Sequence, residues 1–148
     1  MALTAKERKK YILNLDKVVR RWRFKSKIFC GGCCFAAGQI AKMLEKHGIR
    51  YQVVCWDEGR NKSTDLENII TSNNCYHIAI QVSLDSKRFI IGGDIDNSFR
   101  NVITYNRMSS KRLIDCDLLG VKYDTWNYVY NRKLNNRFIN ILNKSVEK

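Results

Sequence analysis

The sequence predicts an α+β fold in which one central helix packs on an antiparallel sheet, with further helices at both ends of the chain. Two patterns carry this prediction. Apolar residues recur at helical spacing after the cysteine-rich run 30–37, and two later runs alternate as half-buried strands do. With 148 residues, the chain fits one domain, 1–148, that can bury a core without metals or disulfides.

Basic charge is concentrated at the two ends of the chain. The formal net charge is +13, and residues 1–27 carry ten basic and two acidic side chains, which gives +8. Residues 28–99 carry −1 and residues 100–148 carry +6. Basic ends are typical of proteins that contact nucleic acid, an acidic partner or an anionic surface. They are also typical of solvated helix faces, so both interpretations stay open.

The first segment predicts an amphipathic helix from Ala5 to Arg21. Thr4 followed by Glu7 is a capping-box pattern. Apolar residues then recur at helical spacing, at Tyr11, Leu15, Val18 and Trp22. The outer face of this helix is basic and carries Arg8, Lys9, Lys10, Lys17, Arg20 and Arg21. If the basic ends bind a polyanion, this face is the expected surface for an acidic partner or nucleic acid; otherwise it is a solvated helix face.

The run 30–37, Cys-Gly-Gly-Cys-Cys-Phe-Ala-Ala, leads into the predicted central helix. Its two glycines allow a sharp turn, so Cys33 is expected on the first turn of the helix that follows. The helical pattern extends from about Phe35 to His47 and closes with a basic last turn and a glycine. The next run, 49–56, alternates and is rich in β-branched and aromatic residues, so it predicts a strand beside the helix.

Beyond a polar loop, the chain predicts a short helix and a β-hairpin. The helix is expected over 64–70, and the strands Tyr76–Val82 and Arg88–Ile91 are joined by the five residues 83–87. Residues 101–105 are a further candidate strand. A closing helix capped by Thr125 carries an apolar stripe expected in the core, at Trp126, Val129, Tyr130, Leu134, Phe138 and Ile141.

Six cysteines without an apolar signal segment indicate reduced thiols rather than a disulfide framework. No run approaches membrane-spanning length. The sequence therefore predicts a cytoplasmic protein with no membrane contact, no cofactor and no metal. Zinc binding through Cys30, Cys33, Cys55 and Cys75 is the weaker interpretation, because only one close cysteine pair is present and structural zinc sites usually have two.

Three residues form the candidate catalytic set: Cys33 at a helix start, His77 at the beginning of one strand, and Asp94 after the end of the next. A thiol at a helix N-terminus ionises more readily. The imidazole of His77 would take the thiol proton, and the carboxylate of Asp94 would orient the ring and favour its charged form. The competing interpretation is a half-buried strand histidine and an aspartate in a turn after two glycines.

The segment from Cys33 to Asp94 resembles the core of the papain-like and transglutaminase-like cysteine enzyme superfamily. The Cys precedes Gly48-Ile49 by fifteen positions, and His77 precedes Asp94 by seventeen. The start of the cysteine run is also similar to the Cys-Gly-Ser-Cys-Trp stretch around the papain-type nucleophile. This resemblance implies a papain-like or transglutaminase-like α+β core with Cys33 as nucleophile. It also implies a peptide or amide substrate that is hydrolysed or whose acyl group is transferred.

Two other functions stay open. A relative on the same fold without catalysis would act as a structural or interaction protein, for example in a virus particle. A thiol oxidoreductase would use the Cys-x-x-Cys pair of Cys30 and Cys33 before a helix. Against the second, the thioredoxin-like fold places a cis-proline beside its active cysteines, and this chain contains no proline.

Overall fold

The computed structural model describes residues 3–26, 33–57, 65–70, 76–93, 101–121 and 136–144. Its elements in chain order are α1 (Ala5–Ser26), α2 (Cys33–Lys46), β1 (Gln52–Asp57), α3 (Leu66–Ile70), β2 (Tyr76–Leu84), β3 (Lys87–Ile91), β4 (Asn101–Tyr105) and α4 (Ser110–Val121). Residues 136–144 form a further helical segment. The predicted α+β class is confirmed, with a helix that begins at the cysteine run packed on an antiparallel sheet.

The four strands form one sheet in the order β3-β2-β1-β4, and every neighbouring pair is antiparallel. Alternation along the strands gives the sheet two faces. The core face, against which the helices pack, carries Val53, Cys55, Ile78, Ile80, Val82 and Ile91. The second face carries a smaller buried cluster of Val54, Trp56, Ala79 and Ile90.

Helix α2 packs on the core face along β2 and is crossed by α4. Its buried residues recur at helical spacing and include Ala37, Ile40, Ala41 and Leu44. The contact with α4 is close, because a Cβ atom at Gly38 would lie only 3.0 Å from Ile114 Cγ1. Even an alanine at position 38 would require the Ile114 side chain to shift by a few tenths of an ångström.

The end of α2 is fixed by a Schellman cap at Gly48, which has a φ of +66°. The Gly48 N–H donates to the Glu45 carbonyl at 3.1 Å, and the Ile49 N–H donates to the Leu44 carbonyl at 3.0 Å. Both Leu44 and Ile49 are buried, which is the apolar contact that accompanies this motif. The cap reverses the chain and places the C-terminal end of α2 beside the start of β1.

Helix α1 begins with the predicted capping box. The Thr4 N–H donates to Glu7 Oε1 at 3.0 Å, and the Glu7 N–H donates to Thr4 Oγ1 at 3.1 Å. The hydrogen bond from the Thr4 backbone holds the pKa of Glu7 below its usual value. The helix continues past the predicted end at Arg21, to Ser26.

The β2–β3 hairpin corrects the prediction of a five-residue loop. Leu84 pairs with Lys87, so only Asp85 and Ser86 form the turn. Both turn residues have positive φ, +51° and +63°, as a type I′ turn requires. Such a turn matches the twist of the strands, and the ladder therefore continues into residues that the sequence pattern assigned to the loop.

The second half of the chain is less fully described. Strand β4 confirms the candidate strand over 101–105, whereas α4 was not predicted. Within the predicted closing helix, Phe138 is buried and Ile141 is half-buried, as expected of its stripe. Thr125 and the other predicted stripe residues lie outside the described residues. None of the described helices is long and apolar enough to cross a membrane.

A buried carboxylate, Asp16, ties α1 to the end of β3. It is 9% exposed, accepts hydrogen bonds from Arg20 Nε at 2.9 and 3.0 Å, and accepts one from the Gly92 N–H at 2.7 Å. The two glycines after β3 have φ values of +87° and +91°. At Gly93 this positive φ favours glycine, and a Cβ atom there would lie 2.9 Å from Arg20 Nη1, so the end of the Arg20 side chain would also have to shift.

We expect Asp16→Ala to lower the free energy of unfolding by about 1–3 kcal/mol, because the Gly92 N–H loses a charged acceptor. Asp16→Asn should cost less, since it keeps an acceptor oxygen. The matched control is Asp85→Asn, which removes an exposed charge paired with Lys9 at 2.7 Å, keeps a residue type that tolerates the positive φ of the turn, and should change stability by about 0.5 kcal/mol or less. A loss in Asp85→Asn equal to that in Asp16→Ala during urea unfolding would contradict the structural role of Asp16.

Candidate active site

Cys33 is the first residue of α2, as the glycine turn and helical pattern predicted. The partial positive charge at the start of a helix stabilises a thiolate in the first turn. The neighbouring thiol is already engaged, because Cys34 is buried and its Sγ lies 3.2 Å from the Leu113 carbonyl oxygen in α4. Of these two adjacent cysteines, Cys34 therefore belongs to the core, which separates its role from the one predicted for Cys33.

His77 is the second residue of β2 and pairs directly with Trp56 of β1. The two rings share the second face of the sheet, with their centroids 6.0 Å apart, and His77 is half-buried. We call this end of the sheet, where β1 ends and β2 begins, the His77 end. The predicted position of the histidine at the beginning of a strand is confirmed.

Asp94 lies outside the described residues, and the chain is described up to Gly93. The β2–β3 ladder ends at the pair Ile80 and Ile91, which puts the end of β3 on the His77 side of the sheet. Asp16 and Arg20 hold the two glycines that precede Asp94, so α1 determines where the chain leaves the strand.

The topology brings Cys33 and His77 towards one end of the sheet. The cap at Gly48 fixes the C-terminal end of α2 beside the start of β1, and a helix of 14 residues is about 20 Å long. Since α2 packs along β2, its first residue lies towards the His77 end. The imidazole, however, is on the second face and α2 is on the core face. A hydrogen bond between Cys33 and His77 therefore requires their side chains to meet beyond the end of the sheet.

Two features of this end were missed by the sequence analysis. Asp57, the last residue of β1, is 1% exposed and shares the core face, where it pairs with Tyr76. Asp16 supports the turn that leads to Asp94. The signal was present in both cases, because each carboxylate interrupts an apolar pattern: Asp16 lies between Leu15 and Val19, and Asp57 follows a buried run.

The remaining described cysteines are buried in the core. Cys55 is on the core face of β1 and Cys116 is in α4, and neither forms a disulfide with a described residue. Burial raises the pKa of the Cys116 thiol to about 11, and nearby Glu67 adds to the effect. No group of three or more metal-binding side chains occurs among the described residues. Cys30 and Cys75, which the zinc alternative would need, lie outside them.

No protein-family model, curated protein or solved structure matches this chain.

We expect Cys34, Cys55 and Cys116 to resist iodoacetamide at neutral pH in the native protein. Alkylation requires an accessible thiolate, and these thiols are buried; the raised pKa keeps Cys116 protonated until the pH approaches 11. Peptide mass spectrometry locates the modified residues, and the same reaction in guanidinium chloride should modify all six cysteines. Rapid native alkylation of Cys116 at neutral pH would show that its surroundings are wrongly assigned.

Proposed function

We propose that this protein is a cysteine hydrolase or acyltransferase with Cys33 as its nucleophile, His77 as general base and Asp94 as the residue that orients the imidazole. The observation that carries the proposal is the start of α2 at Cys33, towards the same end of the sheet at which β2 presents His77. The resemblance to papain-like and transglutaminase-like enzymes supports the same three residues. The substrate class is a peptide or amide.

The proposed reaction starts with transfer of the Cys33 thiol proton to the imidazole of His77. The thiolate then attacks the carbonyl carbon of the amide, and the backbone N–H of Cys33 would donate one hydrogen bond to the resulting oxyanion. His77 returns the proton to the leaving amine as the carbon–nitrogen bond breaks, which leaves a thioester on Cys33. Water resolves the thioester in a hydrolase, and a second amine resolves it in an acyltransferase.

A non-catalytic interaction or structural protein is the second candidate. The observation in its favour is the position of His77 on the second face, against Trp56, where the ring serves as a packed strand residue. The third candidate, a thiol oxidoreductase, would need Cys30 to form a disulfide with Cys33. The three candidates differ in which substitutions change the reactivity of Cys33.

The basic outer face of α1 remains a predicted surface for an acidic partner or nucleic acid. Two of its cations are engaged within the protein, since Lys9 pairs with Asp85 and Arg20 pairs with Asp16. The exposed cations that remain on this face are Arg8, Lys10, Lys17 and Arg21. Substitution of any of these four removes charge without breaking an ion pair with a described residue.

We expect His77→Ala to raise the pKa of the Cys33 thiol towards about 8.5, because the thiolate loses its imidazolium partner. The pKa is measured from the pH dependence of Cys33 labelling by a chloroacetamide probe, with mass spectrometry to locate the label. The matched control is His47→Ala, which removes the only other histidine, located just after α2 and 4.5 Å from the Tyr11 ring. The control should leave the labelling curve of Cys33 unchanged.

Two further variants separate the three candidates. Cys33→Ala should abolish labelling at this site and any amidase activity while the fold is kept, whereas Cys30→Ser should leave both intact in a hydrolase. Loss of probe reaction at Cys33 in Cys30→Ser, together with a Cys30–Cys33 disulfide, would favour the oxidoreductase. Cys33 labelling that is the same in His77→Ala and in the unmodified protein would favour the non-catalytic candidate.

A further inference from the structure

A cleft of about 900 Å³ lies at the hairpin end of the sheet, where β1 begins and the β2–β3 turn lies. This is the opposite end of the sheet from His77. Its walls come from the segment between α2 and β1, the hairpin, and the segment between β4 and α4. The volume is at the upper end of the range for ligand pockets, about 300–1,000 Å³.

The cleft is strongly cationic. Arg50, Lys87, Arg88 and Arg107 line it, and all four are exposed. None of the four forms an ion pair within the described part of the chain. Cations gathered around one concave site raise the local concentration of anions and favour the binding of phosphate groups.

The one carboxylate among the lining residues is already occupied. Glu45 accepts hydrogen bonds from the Ser110 N–H at 3.0 Å and from Ser110 Oγ at 3.1 Å, so it caps the start of α4. Burial and the charge of Glu45 raise the pKa of the neighbouring Tyr51 hydroxyl to about 12, so this phenol stays neutral. The four cations are therefore not balanced by the other lining residues.

A row of side-chain amides lies between these cations. Gln81 Nε2 donates to Gln52 Oε1 at 2.5 Å, and Gln52 Nε2 donates to Asn106 Oδ1 at 2.6 Å. The Gln81 Oε1 atom is buried and accepts no hydrogen bond from a described residue. Amides that flank phosphate-binding cations supply the donors and acceptors that unpaired base edges need.

The backbone positions that carry the four cations have defined geometry. Lys87 and Arg88 directly follow the two-residue turn, whose positive φ values fix its shape. Arg50 follows the Schellman cap of α2, and Arg107 follows the end of β4. Binding therefore has to order the side chains of these cations but not the backbone that carries them.

We propose that this cleft binds a segment of single-stranded nucleic acid, with the phosphates on the four cations and a base edge on the amide row. A duplex does not fit this arrangement. Proteins read the base edges of a duplex with a protruding element that enters a groove, whereas this site is a concave cleft. Three of the four cations are arginines, whose planar guanidinium groups bind phosphate oxygens in pairs. The site is separate from Cys33 and does not depend on the proposed chemistry.

The test uses the full chain and a fluorescein-labelled, mixed-sequence single-stranded DNA of about 12 nucleotides, followed by fluorescence anisotropy. The cleft variant is R50Q/R88Q/R107Q, and the charge-matched control is K42Q/R137Q/K144Q, at exposed positions of α2 and of the helical segment 136–144. We expect the cleft variant to lose about tenfold or more in affinity. A plot of log affinity against log salt concentration has a negative slope, and its magnitude should be smaller by about two in the cleft variant. Three phosphate contacts are removed, and each contributes about 0.7 to the slope. The control should lose less than about threefold.

A base-edge contact adds a second expectation. An abasic oligonucleotide of the same length should bind more weakly than the DNA, and Gln81→Leu should reduce that difference. Equal losses in the cleft variant and the charge-matched control would show that net charge alone drives binding and would overturn the proposal. If poly-glutamate binds as tightly as the DNA, or a free nucleoside triphosphate competes at equal phosphate concentration, the cleft binds another class of anion and the proposal of a nucleic-acid strand is wrong. Cys33→Ala should bind the DNA as the unmodified protein does, whatever the outcome for catalysis.

Discussion

The packing of α2 between the sheet and α4 is the constraint on which the placement of the other elements depends. Small residues on α2 permit this packing, since Ala41 is fully buried and a Cβ at Gly38 would lie 3.0 Å from Ile114. The Schellman cap at Gly48 then fixes one end of the helix beside β1. Because the helix is rigid, its other end, and with it Cys33, is carried to the opposite end of the sheet. The candidate nucleophile and the cationic cleft are therefore kept apart by the length of one helix.

Local signals predicted most of the described elements, because each acts within a few residues. The capping box of Thr4 and Glu7 and the period-two pattern of β2 are of this kind. Helix α4 was missed because its apolar stripe is weak, although Ser109 provides an N-cap hydrogen bond to the Arg112 N–H. The contact from Asp16 to Gly92 joins residues 76 positions apart, and no local pattern encodes such a contact. The predicted length of the hairpin loop was wrong for a further reason. The turn needs a positive φ at Asp85 and Ser86, and neither residue is a glycine that would signal it in the sequence.

Part of the candidate site was also predictable from local sequence, and part was not. The helix start at Cys33 and the strand position of His77 were predicted from local patterns. The face on which His77 lies depends on which side of β2 the helices cover, which is a property of the whole fold. The larger apolar residues Ile78, Ile80 and Val82, which alternate with Ala79 and Gln81, lie on the core face, so His77 lies on the other one. The cationic cleft had no local signal, because its arginines come from three separate segments.

The central claim is that the Cys33 thiol and the His77 imidazole form one coupled acid–base pair. The most direct test is an NMR titration of the two histidine rings in the unmodified protein and in Cys33→Ala, since the chain contains only His47 and His77. If the pair exists, removal of the thiolate should lower the pKa of His77, because coupling between two groups acts equally on both. The ring signals of His47 should be the same in the two proteins. An identical His77 titration curve in both proteins would contradict the claim.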